Sequence, residues 1–238
     1  MSKMDVVIMA PVMPLWDDGM FCKPLLSLLS NKGFKVSLVD TLSLIHSADP
    51  KETIESVHHE LIARAGSPFL LVGFAMAGTL VQILSPRMDC LTGVISISAP
   101  GFSDYLLNER VGYLVSLLSK GYLDEAVEAL NQFVVPKGQT SLHAVNTIPE
   151  SQRKVAIERM LRGFSLLRRL DARPAMAKFS GKYLGIVGEK SQLATWGNQT
   201  HSGNPNHRYE RIPGAGMRPW NDNASAINLL VNEWIEEL

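Results

Sequence analysis

A chain of 238 residues is long enough to bury a substantial core as one α/β domain, with room for an inserted subdomain. It is 46% hydrophobic and 19% charged with a formal net charge of +0, a balance that gives no general electrostatic drive towards nucleic acid or an anionic membrane. Two cysteines, Cys22 and Cys90, lie far apart without metal-ligand company, which points to a reduced, cytoplasmic chain.

The opening "MSKMDVVIMAPVM" enters an apolar run too short to span a membrane and lacks a small-residue cleavage site, so no signal peptide is expected. Six short apolar runs rich in β-branched residues read as strands: Asp5–Pro11, Lys35–Asp40, Pro68–Phe74, Leu91–Pro100, Lys182–Glu189 and His207–Gly214. Most are continuous rather than alternating, as expected of parallel strands covered on both faces. Helical patterns fall between them at Pro24–Lys32, Pro50–Ala65 and Met76–Leu84, and at the end over Ala224–Leu238, where Ile227, Leu230, Val231 and Trp234 share one side. The alternation predicts a doubly wound, mostly parallel α/β sheet. From Phe102 to Leu170 no strand is expected. Phrases such as "VGYLVSLLSKGYLDEAVEALNQF" and "ESQRKVAIERMLRGFSLLRRL" read as helices, so residues 102–170 are expected to form a helical lid inserted into a core made of 1–101 and 171–238.

The stretch "FLLVGFAMAGTLVQ" brings a strand to a turn and then a helix. Gly73 and Ala77 flank Ala75 at minus two and plus two, and Gly78 follows, the small residues that a strained strand-to-helix elbow needs where its backbones crowd. Such a turn presents one side chain at its tip, and here that side chain is a methyl group. Thr79, four residues on, is expected to be buried behind the tip, bonding to its own helix.

With this turn the sequence resembles the α/β-hydrolase family, whose elbow reads G-x-S-x-G. The resemblance implies three further positions. In "VGEKSQL" Ser191 stands where the family's acid falls, and in "IPGAGMRPW" Met217 stands where its histidine falls. In "MAPVMPLW" Ala10 and Pro11 replace the start of the oxyanion loop. Alanine cannot attack, methionine cannot accept a proton at neutral pH, and a serine hydroxyl cannot orient an imidazolium. Substitution at three corners reads as natural divergence. "ISISAPGFSD" and "LLRRLDARPAMAKFSGKYLGIVGE" resemble the junctions into and out of the lid in small lidded esterases such as the pimeloyl carrier-protein methyl ester esterases.

On that resemblance the degenerate triad is Ala75, Ser191 and Met217, and Pro11, Val12, Met13, Ala75, Met76, Ser191 and Met217 are the expected lining of an apolar pocket, with Met20 a further contributor. Its occupant would be a small apolar or acyl ligand. Between Arg153 and Arg169 six basic residues face one acidic residue, Glu158. Ile157, Met160, Leu161 and Phe164 are expected on the apolar side, with Lys154, Arg159, Arg162 and Arg169 pointing away as a face for an acidic carrier protein, or simply as a solvated helix surface. The leading reading is a non-hydrolytic pseudoenzyme that binds such a ligand or a protein partner. The alternative is an enzyme of cyclase, isomerase, lyase or decarboxylase type, using a titratable group such as His46, His143, Asp17, Asp18 or Glu189. Residual esterase or thioesterase activity through Ser191 ranks last. No cofactor or metal is expected, because no histidine pair has ligand spacing with an acidic partner.

Overall fold

The computed structural model describes residues 4–47, 49–64, 68–141 and 147–238. Six strands, β1 (Asp5–Met9), β2 (Lys35–Val39), β3 (Phe69–Phe74), β4 (Leu91–Ile97), β5 (Tyr183–Gly188) and β6 (His207–Ile212), form one sheet in the order β2-β1-β3-β4-β5-β6. Every pairing is parallel. Each of the six expected runs is a strand, trimmed by one to three residues at its ends.

The helices are α1 (Lys23–Asn31), α2 (Pro50–Arg64), α3 (Met76–Leu84), α4 (Tyr105–Ser119), α5 (Leu123–Val134), α6 (Glu150–Leu167), the short α7 (Arg173–Met176) and α8 (Pro219–Asp222), and α9 (Ala224–Glu236). They cover the sheet in two layers. Val6, Ile8, Leu70, Val72, Ile95 and Ile97 pack towards Leu25 and Leu29 of α1 and Ile227, Val231 and Trp234 of α9. Val7, Met9, Phe69, Leu71 and Val94 face the other way, towards α2, α3, α4 and α6. Alternate side chains of each central strand therefore enter different cores, and both cores are apolar. This is why β3, buried at all six positions, reads as an unbroken hydrophobic run. The edge strand β6 is polar by comparison ("HRYERI"), since only its ends are buried.

Helices α4, α5 and α6 fall between β4 and β5, within the stretch where no strand was expected. Asp104 starts α4 by accepting the Leu107 N–H at 2.8 Å. His143 lies outside the described residues. Among the described residues no helix is long and apolar enough to cross a membrane.

Candidate functional site

The chain runs from β1 out to β2 on one side and returns to β3 on the other, so the carboxyl ends of β1 and β3 border the point where strand order reverses. Open parallel sheets open a crevice at such a point. At its edge, β3 delivers Ala75 with φ 48° and ψ −120°, a conformation that residues with a side chain rarely adopt. The Ala75 N–H is tied to the carbonyl of Ile97 at 2.9 Å. A Cβ added at Gly73 would stand 2.6 Å from the Ala77 carbonyl oxygen, and one at Gly78 would stand 2.3 Å from the Ala99 methyl. Strand and helix approach too closely here for any larger residue. Thr79 is fully buried, but its hydroxyl donates to the Pro100 carbonyl at 2.7 Å, not to its own helix. It pins α3 to the segment leaving β4, an acceptor that helix spacing alone does not reveal.

The loops after β5 and β6 meet each other. Ser191 donates its hydroxyl to the Met217 sulfur at 3.0 Å, and the Ala194 N–H points at the same sulfur at 3.4 Å. Glu189 is exposed and accepts the Gly214 N–H at 2.9 Å, a loop-closing bond. Gly216 lies so close to α5 that a Cβ would stand 2.7 Å from the Val134 carbonyl oxygen, and the Met217 N–H donates to that oxygen at 2.9 Å.

Above Ala75 lies a cavity of about 1090 Å³. Its walls come from the segment after β1 (Pro11 to Asp17), the turn at Phe74–Met76, the end of β4, the helices α4, α5 and α6, and the segment Met217 to Asn221. Pro11, Val12, Met13, Met20, Ala75, Met76 and Met217 all line it. Ser191 does not, contrary to expectation, because its hydroxyl is turned into the Met217 sulfur. Of the titratable candidates, His46 and Asp18 are exposed and contribute nothing to the walls. Asp17 does line the cavity, with its two carboxylate oxygens accepting the N–H groups of Gly19 and Phe21 at 3.0 and 2.9 Å.

Most of the lining was not foreseen from sequence, and three of those residues bear on the chemistry of the cavity. Ser98 follows β4 at φ 49° and is 2% exposed, and its hydroxyl has no partner among the described residues. Its strain has no pattern in "ISISAPG" that could announce it. Lys23 and Arg218 put two cations on the wall. Arg218 adjoins Met217, and its neighbourhood was legible as a loop but not as a rim.

The cationic face of α6 differs from the one expected. Arg159 is buried and forms a two-pronged ion pair with Asp40, at 2.9 and 2.8 Å. Arg162 donates to the Ile45 carbonyl at 2.8 Å. Both turn towards the segment after β2 because Asp40 and Ile45 offer oxygens there, and amphipathic spacing within α6 cannot show what lies opposite it. Lys154 is exposed, and Arg169, 53% exposed at its side chain, stands 3.5 Å from Asp49. Cys22 is fully buried at the start of α1, where desolvation and the nearby Asp17 push its thiol up to about 12.

No protein-family model and no curated protein matches the chain. Solved structures do. The bromoperoxidase from Bacillus anthracis aligns over 99% of this chain and 92% of its own with a TM-score of 0.77 at 17% identity. MGS-M2, an α/β-hydrolase enzyme from a Medee basin deep-sea metagenome library, aligns over 99% and 90% with a TM-score of 0.78 at 12% identity. The enol-lactonase from Burkholderia xenovorans LB400 aligns over 99% and 92% with a TM-score of 0.73 at 14% identity. At these identities the likeness is one of architecture, and the chain has the α/β-hydrolase fold.

Proposed function

We propose that this protein is a non-hydrolytic member of its fold, a pseudoenzyme that holds a small apolar or acyl ligand in the cavity above Ala75, beneath a lid made by α4, α5 and α6. The observation that carries the reading is the tip of the elbow. The strained turn that elsewhere displays a nucleophile is intact here and displays a methyl group. Beside it the place of the base is taken by Met217, whose sulfur accepts hydrogen bonds from Ser191 and Ala194 and cannot accept a proton at neutral pH. Apart from Asn131, the wall residues added by α4, α5 and α6, among them Val111, Leu130, Phe164 and Leu167, are hydrocarbon, which suits burial of an apolar group. A carrier protein docked on α6 is the weaker part of the reading, since Arg159 and Arg162 are engaged inside the fold.

The test pairs a fluorophosphonate probe of serine hydrolases with a thermal-shift screen of acyl compounds. The expected outcome is no covalent labelling and a rise in Tm with at least one medium-chain compound. Labelling at any serine would overturn the reading.

A second reading, an enzyme using acid–base chemistry without a nucleophile, is favoured by one observation, the presence of Asp17 on the cavity wall. It is ranked second because both oxygens of that carboxylate already accept backbone N–H groups.

A further inference from the structure

The cavity is apolar in depth and cationic at one rim. Arg218 lies on the wall between Met217 and Pro219. Its backbone is fixed from both sides: the preceding Met217 N–H donates to Val134, and the Arg218 carbonyl accepts the Asn221 N–H at 2.9 Å as α8 begins. The guanidinium has no salt bridge among the described residues. It reaches the Asn131 side-chain oxygen at a long 3.4 Å, while the nearby Asp222 turns its carboxylate to the Gly216 N–H at 2.8 Å. Solvent reaches the guanidinium, yet the walls crowd it enough to lower its pKa from the ordinary arginine value, with Asp222 opposing. Lys23 is exposed on the same wall, also without a salt bridge among the described residues. Among the described residues the one carboxylate lining the cavity, Asp17, is occupied by backbone donors.

A neutral apolar ligand would gain nothing from an arginine held at this rim. A planar guanidinium beside a side-chain amide matches a carboxylate, which accepts two parallel N–H bonds. We propose that the cavity takes an amphipathic anion, a fatty carboxylate, with its head group held by Arg218 and Asn131 at the rim and its chain laid against Val111, Phe164 and Met217. The proposal rests on the ligand-binding reading above and names the class of ligand.

Trp16 and Trp220 line the cavity, so their fluorescence reports its filling. The probe is 11-bromoundecanoate, whose bromine quenches indole emission, compared with its methyl ester at pH 7.5 and low salt. The acid is expected to bind at least tenfold more tightly than the ester. Arg218→Gln should bring the two to parity by weakening the acid far more than the ester, and Lys23→Gln should have a smaller effect. The preference should also shrink as salt is added. Equal binding of acid and ester by the unaltered protein, or a preference that survives Arg218→Gln, would overturn the assignment while leaving the cavity reading intact. If neither compound quenches at millimolar concentration, the cavity reading falls and this inference with it.

Discussion

The elbow holds Ala75 at φ 48° and ψ −120°, a region in which a residue with a Cβ is strained and glycine is at ease. Strain at such a residue is about 1–3 kcal/mol. In an active hydrolase it cannot be relieved, because the turn must carry its nucleophile. Here it carries only a half-buried methyl group. Ala75→Gly removes that strain. It forfeits about 0.4 kcal/mol of methyl burial, half of the ~0.8 kcal/mol of a fully buried methylene. The freedom that glycine adds to the unfolded chain costs about 0.5–1 kcal/mol more. The balance is a stabilisation of about 1 kcal/mol, which for a domain of this size is a rise in Tm of about 2–4 °C. Urea unfolding followed by circular dichroism measures it, with an unchanged m-value confirming that the midpoint shift is one of stability. A destabilisation of about 1 kcal/mol or more would refute the reasoning, because it would mean that the turn stores no strain at this position.

Four further outcomes follow from the same geometry. Ala75→Ser should leave ester hydrolysis at background, since Met217 lines the same cavity and no histidine among the described residues does; strong turnover by this single variant would refute the account of Met217. Arg159→Met leaves the partly buried Asp40 without its partner and should destabilise by about 3 kcal/mol, the low end for a broken buried pair because both side chains keep some exposure. Differential scanning calorimetry should then show a Tm lower by about 6–12 °C, partly recovered when Asp40→Asn is added. Gly73→Ala drives a Cβ into the Ala77 carbonyl and should destabilise by about 1–3 kcal/mol or more in the same assay. Alkylation by iodoacetamide at pH 8 should mark the half-buried Cys90 and spare Cys22, as read by peptide mass spectrometry. The folded Cys22 thiol has a higher pKa than the unfolded one, so its contribution to stability is complete below the ordinary thiol value of 9.0 and declines as pH rises towards about 12.

Much of this molecule is local, and so was legible. The continuous apolar runs of β1, β3, β4 and β5 follow from burial on both faces, and "GFAMAG" carries its tight turn in the side chains it lacks. The stretch before β5 announced its helices through spacing alone. What depended on distant contacts was not legible. The sequence around Thr79 cannot name Pro100, and the spacing of Arg159 and Arg162 on α6 cannot show Asp40 and Ile45 across from them. Ser191 was expected to face the pocket until a sulfur 26 residues away drew its hydroxyl inward. Arg218 became a rim residue only when the loop after β6 docked on the end of α5. Periodicity records which face of an element is buried, and that is enough to build the sheet and its cover. Hydrogen bonds and ion pairs are short-ranged and directional, so the partner of each polar group, and with it the chemistry of the cavity, was decided only when the chain closed on itself.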